Sequence, residues 1–282
     1  MARNPRRRRF WLQVAPILAA LPPVGADDPP RPAAAAAAAA IARAEPGRHP
    51  AGATIEEAIK LVEEARERFK AVDDYTCTFF KRERIDGVLS PVNGLAMKSR
   101  ARPNSFYFKI TTPTPGREAI YVAGRHGGKA AVHDVGFNKL LAGTLWVDPR
   151  SGLAMQDCRH PISEAGIGHL IDTVHAAWTR ELSAEESRVS IHRNAKVGDR
   201  PCVMIESIHT RKSPKFLFHK VNLYLDAESR LPIRYEAYDW PATAGGEPPL
   251  AEEYTYSQLR LNVGLRDKDF DVANRAYSFG RF

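Results

Sequence analysis

Nine histidines and three cysteines are the side chains with most chemistry to offer in this 282-residue chain. A metal site would show them at short fixed spacings such as HExxH or HxH, because one helix turn or one strand face must present two ligands together. His126, His133, His160, His169, His175, His192, His209 and His219 show no such spacing and no accompanying carboxylate cluster, so no metal is expected. Cys77, Cys158 and Cys202 lie far apart without a CxxC. Cys77 and Cys202 both fall in strand-like runs, where an exported chain can bridge them or leave each as a buried thiol. No GxSxG elbow offers a serine nucleophile. Gly166-Ile167-Gly168 lacks the third glycine and the preceding strand of a dinucleotide loop. In Glu252-Glu253 the two carboxylates are adjacent, so on a strand they point to opposite faces. No catalytic constellation emerges and no cofactor is implied. The expectation is a protein that is not an enzyme.

With 44% hydrophobic and 9% aromatic residues the chain can build a substantial core, which excludes global disorder. The formal charge of +8 is unevenly spread: Arg3, Arg6, Arg7, Arg8 and Arg9 sit within residues 1–26, where there is no acid. What remains is ordinary for a soluble domain and leaves no broad basic footprint, so no nucleic-acid partner is expected.

Residues 1–26 have the three-part layout of a secretory signal peptide. Arg6 to Arg9 precede an apolar run from Phe10 to Leu21, and small residues close it at Val24-Gly25-Ala26. Arg7-Arg8-Arg9-Phe10-Trp11-Leu12 also resembles a twin-arginine motif, so both export routes stay open. No cysteine follows the cleavage site to carry a lipid. Residues 27–53 contain eight consecutive alanines (Ala33 to Ala40) between proline-bearing ends and read as a disordered linker. A single domain is expected over 54–282.

Thr54-Ile55-Glu56-Glu57 is a capping box, and Ile55, Ala58, Ile59, Val62, Ala65, Phe69 and Val72 recur at helical spacing behind it. The period then falls to two. Tyr75, Cys77 and Phe79 alternate with threonines, and Asp86-Gly87 marks a tight hairpin. Lys81-Arg82-Glu83-Arg84 reads as a solvated strand end, contact with anionic lipid or a partner being the alternative. Strand-like runs follow at 95–100, 105–111, 119–123 and 129–133. A helical insertion at about 136–182 opens with loop-rich 136–152 and carries Ile167, Leu170, Ile171, Val174 and Trp178 at helical spacing. Strands resume at 189–192, 203–209, 215–225, 233–238 and 252–261. Short strands without intervening helices mean an antiparallel meander. The fold class expected is α+β: one strongly curved antiparallel sheet covered by an N-terminal helix and a mid-chain helical lid.

Leu95-Ala96-Met97-Lys98, Arg102-Pro103-Asn104-Ser105-Phe106-Tyr107-Phe108, Thr112-Pro113 and Ile120-Tyr121-Val122-Ala123-Gly124 together resemble the LolA/LolB type of lipoprotein carrier. Asp74-Tyr75-Thr76, Lys81 to Gly87, Pro149 to Met155, Arg159-His160-Pro161-Ile162 and Phe270 to Asn274 resemble an uncharacterised family of exported proteins, domain of unknown function 1571. The resemblance covers roughly 55–279. It implies an incomplete LolA-like β-barrel whose helices lid an apolar cavity for acyl chains. It implies that Arg102 helps hold the lid, with Arg100 the alternative because Ser99-Arg100-Ala101 interrupts the carriers' pattern, and that Phe106 lies beside the cavity. Phe108, Tyr121, Ile167, Leu170 and Ile171 complete the expected lining of cavity and lid. The function implied is an exported, soluble, periplasmic or envelope carrier of lipid or acylated lipoprotein, with an envelope membrane receptor left open as a further partner. An envelope sensor or protein-interaction module of the same architecture is the alternative.

Overall fold

The computed structural model describes residues 44–45, 51–134, 143–182 and 187–279. The export signal, most of the linker and residues 135–142 of the insertion lie outside the described residues.

Helix α1 (Ile55–Phe69) starts where the capping box places it: the Thr54 amide donates to Glu57 Oε2 at 2.9 Å and the Glu57 amide to Thr54 Oγ1 at 3.3 Å. Glu56 and Glu57 in its first turn and Arg66 and Arg68 in its last suit the helix dipole. Strand β1 is Ala44–Glu45 and β2 is Ala51–Ala53; a meander then runs through β3 (Asp74–Ile85), β4 (Val88–Leu89), β5 (Asn93–Arg100), β6 (Ser105–Thr112), β7 (Glu118–Val122), β8 (Ala130–His133) and β9 (Thr144–Val147). The Asp86-Gly87 turn joins β3 to β4 with positive φ at both residues. A one-turn helix α2 (Gly152–Met155) and helix α3 (Ile167–Glu181) follow, and a second meander closes the chain: β10 (Ser187–Val197), β11 (Arg200–His209), β12 (Lys220–Asp226), β13 (Pro232–Tyr238) and β14 (Leu250–Leu261).

All pairings among the described residues are antiparallel. The path across the sheet is β1-β10-β11-β12-β13-β14-β3-β5-β6-β7-β8-β9, with β2 also on β10 and β4 on β3. The last long strand therefore lies beside the first, and the pairing of β14 with β3 welds two meanders into one sheet. Eight strands from β10 to β6 at ~4.8 Å spacing would be ~34 Å wide if flat, against ~20 Å for two adjacent helices. Yet a single apolar cluster gathers side chains from all eight around both helices. The sheet must curl, and α1 and α3 fill its concave side. This is the expected curved antiparallel sheet covered by helices.

Three expectations need correction. Ala44–Glu45 and Ala51–Ala53, placed in the linker, add strands to the outer edge of β10, because edge pairing uses backbone groups and asks little of side chains. Thr144–Val147, placed in the loop-rich part of the insertion, pairs with β8; Leu145, Trp146 and Val147 are strand formers. Lys215 to His219 lie outside β12: Phe216 instead stacks on His209 at 3.9 Å.

The C-terminal segment crosses the convex face, burying Phe270, Tyr277 and Phe279 against Tyr107, Ile120, Val122 and Ala131. Buried Asp74 fixes where it departs, accepting from the amides of Val263 at 2.7 Å, Gly264 at 3.1 Å and Leu265 at 3.0 Å. Asp74→Ala strands three amides and should cost roughly 2–4 kcal/mol in urea unfolding. The neighbouring exposed pair Asp73–Arg102 is solvated, so Asp73→Ala should cost less than about 1 kcal/mol. Equal losses would show that Asp74 does not hold the segment.

Candidate functional site

Side chains alternate across the sheet, so the concave face of β3 shows Tyr75, Cys77 and Phe79, then Lys81 and Glu83. It is apolar over most of its length and charged at one end. Register extends this division to the neighbours. Phe79 pairs with Tyr256 and Leu95, Lys81 with Tyr254, and Glu83 with Glu252.

The apolar part is a row of rings. Phe106 stacks on Phe108 at 6.1 Å, Phe108 on Phe79 at 6.3 Å, Phe79 on Tyr254 at 5.8 Å, and Tyr254 on Tyr235 at 6.1 Å. The row crosses from β6 to β13. Phe106, Phe79 and Tyr235 are buried, whereas Phe108 and Tyr254 are half-buried. Helix α3 turns Ile167, Leu170, Ile171, Val174 and Trp178 into the same apolar cluster.

The start of α3 is fitted closely to the sheet. Gly166 has φ of +93°, and a Cβ there would meet Tyr75 Oη at 2.8 Å and Phe106 Cε1 at 2.9 Å. The Tyr75 hydroxyl instead accepts from the Ile167 amide at 3.0 Å. Asn104 Nδ2 donates to the Ser163 carbonyl at 3.3 Å. A Cβ on Gly168 would lie 2.5 Å from a Phe69 ring carbon of α1. The two glycines that fit no dinucleotide loop thus serve close approach of helix to sheet and helix to helix.

Of the lining residues expected from sequence, Phe106, Ile167, Leu170 and Ile171 lie in one core cluster, with Phe108 and Tyr121 packed against it. Arg102 stands apart. It is exposed, and donates to Asp73 Oδ1 at 2.9 Å and to the Lys70 carbonyl at 3.5 Å, at the C-terminal end of α1 rather than at α3. Arg100 turns to the convex face, where it donates to Asp267 Oδ1 at 2.6 Å and lies over the Phe270 ring. The bonds at the start of α3 come from Tyr75 and Asn104. The space beneath α3 is filled by its own side chains: Ile167, Ile171 and Trp178 are at most 1% exposed. Two open clefts of roughly 450 and 570 Å³ lie elsewhere, one beside Trp146 and Phe279, the other along Thr76, Thr78 and Lys98. Cys77 and Cys202 are free thiols in different clusters, so the bridge between them is not made.

The charged end holds residues that sequence reasoning missed. Lys81 Nζ donates to Glu83 Oε2 at 2.8 Å and to Cys158 Sγ at 3.2 Å. The Tyr254 hydroxyl donates to Glu83 Oε1 at 2.7 Å. Arg159 donates from its amide to Glu83 Oε2 at 3.2 Å, from Nε to Glu252 Oε2 at 2.8 Å and from Nη1 to the Arg84 carbonyl at 3.1 Å. His160 Nε2 lies 2.9 Å from Glu252 Oε2. Glu83 is 3% exposed, which corrects its assignment to a solvated strand end. As expected, Glu252 and Glu253 part: Glu253 joins Arg234 in a separate network with Glu236 and Thr255. Burial works to lower the Lys81 ammonium's pKa and to raise that of Glu83, but their pairing outweighs both, holding lysine high and carboxyl low. Burial, with Glu252 and Glu83 adding to it, pushes the Tyr254 hydroxyl up and keeps it a donor. The signal was present in the short motifs from Lys81 to Gly87 and from Arg159 to Ile162. Only the fold brings them together.

The family profile described as "Protein of unknown function (DUF1571)" matches residues 72–279. No curated protein sequence matches the chain. Among solved structures, the chain is similar to the Mycobacterium tuberculosis lipoprotein LppX, with 10% identity over 77% of this chain and 100% of that one and a TM-score of 0.45. A putative outer membrane lipoprotein-sorting protein domain from Vibrio parahaemolyticus shows 15% identity, covering 77% and 97%, with a TM-score of 0.35. A LolA superfamily protein from Nitrosomonas europaea shows 15% identity, covering 75% and 96%, with a TM-score of 0.31.

The hydrogen bond to Glu252 raises the His160 pKa above its ordinary 6.5; burial opposes, Glu252 and Glu83 add to the rise, and Arg159 detracts. The stabilisation from this pair is therefore complete below about pH 6.5 and is lost as pH rises through the higher folded value. Urea midpoints of the wild type and of His160→Gln should differ most in mild acid and converge in alkali. A gap that widens with rising pH would contradict the pairing.

Proposed function

The chain belongs to the DUF1571 family of proteins of unknown function, and on that premise we propose that it is a non-enzymatic binder and carrier of acylated cargo, lipid or lipoprotein, in the cell envelope. The observation that carries this reading is the ring row on the concave face. It is continuous over several strands, only half-buried at Phe108 and Tyr254, and meets the start of α3 at its Phe106 end.

Because the interior is filled, cargo enters by exchange. The five inward side chains of α3 gain about 8–15 kcal/mol from burial, at ~1.5–3 kcal/mol each. An acyl chain of about twelve methylenes offers ~10 kcal/mol at ~0.8 per methylene. A chain lying along the row therefore replaces most of what α3 gives up. The polar ties that α3 must release are few and partly solvated. Arg66–Asp172 at 3.0 Å and His175–Glu63 at 3.5 Å are surface pairs worth little; Tyr75–Ile167 and Glu181–His209 are buried. Gly166 allows the helix to swing at its start. The basic, apolar and small-residue segments of residues 1–26 support export, and no helix among the described residues is long and apolar enough to cross a membrane.

Native mass spectrometry of protein isolated from its own envelope should show bound acyl lipid, and lipid-free protein should take up a fluorescent acyl probe. Phe108→Asp should weaken uptake about tenfold or more, the loss of a half-buried ring from the chain's path. The exposed Leu153→Ala should leave it unchanged. Lipid-free isolates together with no uptake would sink the proposal, and a stable protein partner under those conditions would favour a sensor or interaction module.

A further inference from the structure

The ring row passes through Tyr254 on its way to Tyr235, and Tyr254 belongs to both halves of the face. Its ring stacks on Phe79 and Tyr235, while its hydroxyl donates to Glu83 at 2.7 Å and reaches Glu252 at 3.4 Å. A cargo chain lying on the row would bring its head to the charged cluster. The charges there are sorted by depth. The side chains of Glu83 and Glu252 are 4% exposed, whereas those of Arg159 and His160 are 31% and 42% exposed. Lys81 matches Glu83 and Arg159 matches Glu252, so a protonated His160 adds a positive charge on the outer side. Arg159 is further tied by Nη1 to the Arg84 carbonyl, whereas the Arg84 guanidinium donates to the Leu250 and Gly87 carbonyls. The described hydrogen bonds of these two side chains use Nε and Nη1 of Arg159 and Nε2 of His160, while the guanidinium lies over the Phe218 ring at 5.8 Å and the imidazole meets Tyr254 edge-on at 6.2 Å. With Nε2 committed to Glu252, His160 presents an Nδ1–H only when protonated, and that N–H together with the guanidinium is a donor set suited to an oxyanion.

We infer that Arg159 and His160 form a head-group subsite, so that the preferred cargo is an amphiphile with an anionic head, carboxylate or phosphate, rather than a neutral one. This rests on the concave face being the acyl site proposed above. Glu83 and Glu252 are each already paired, Glu83 with Lys81 and Glu252 with Arg159, and both lie deeper than the cations that would meet such a head. Glu252 holds Nε of Arg159 and Nε2 of His160, and Glu83 accepts from the Arg159 amide.

The test compares ligands that share a chain and differ in the head. Laurate is set against lauryl alcohol, and lysophosphatidate against monoacylglycerol, each displacing the same fluorescent acyl probe from wild-type full chain. The anionic member should bind about tenfold more tightly in at least one pair, as a charge-assisted hydrogen bond predicts. The pair that shows the preference identifies carboxylate or phosphate. His160→Gln and Arg159→Gln should each reduce the preference, through weaker binding of the anion with the neutral ligand unchanged. Arg159→Gln leaves Glu252 with one fewer donor and can disturb folding, so the wild-type comparison decides. Equal affinity for both heads in both pairs would overturn the head-group subsite and leave the carrier reading standing. Failure of every ligand to displace the probe, or of the probe to bind, would overturn both.

Discussion

The pairing of β14 with β3 is the constraint on which the rest depends. Each meander alone is a sheet with one apolar face and two open edges. Joined through that pairing, they form a surface wide enough to curl around two helices. The same register sets Tyr256 beside Phe79, Tyr254 beside Lys81 and Glu252 beside Glu83. A shift by one residue would turn Glu253 inward and send Tyr254 to the convex face, dismantling the ring row and the charged cluster together. The bulge between Ser257 and Arg260 lies beyond this stretch, nearer the Tyr75 end, and leaves it intact.

Helix α3 is held to that surface mainly by shape and apolar burial. Gly166 and Gly168 let it approach Phe106 and Phe69 more closely than any side chain would allow, and Trp178 fills the other end. Such an attachment is strong in sum but contains few polar bonds that must break before the helix can move. A filled interior is compatible with the proposed carrier role because an apolar ligand would replace most of the surface that the helix gives up. The charged cluster is different in kind. Its buried carboxylates need their partners, since an unpaired buried charge costs several kcal/mol.

Sequence spacing carried the elements well. The capping box at Thr54, the change of period at Tyr75, the Asp86-Gly87 hairpin and the helical spacing from Ile167 to Trp178 are local patterns, written within one or two turns of chain. The apolar packing of the concave face was legible for the same reason, because Phe106 and Phe108 alternate on one strand, Tyr121 pairs with Phe106 from the next, and the inward residues of α3 recur on one helix face. Short edge strands were not. Ala44–Glu45 and Ala51–Ala53 pair through backbone alone and leave no mark in side-chain pattern.

What the chain's own order of residues determined is a sheet-forming sequence with two amphipathic helices, since periodicity and segment composition are properties of neighbours in sequence. What only tertiary structure decided is the charged end of the concave face. Lys81 and Glu83 look like a solvated run, Arg159-His160 like a loop and Glu252 like one of an idle acidic pair. Their meaning depends on partners some 70 to 170 residues away. Burial, which turns exposed charges into an obligatory network, exists only once β14 has found β3 and the segment before α3 has closed over them.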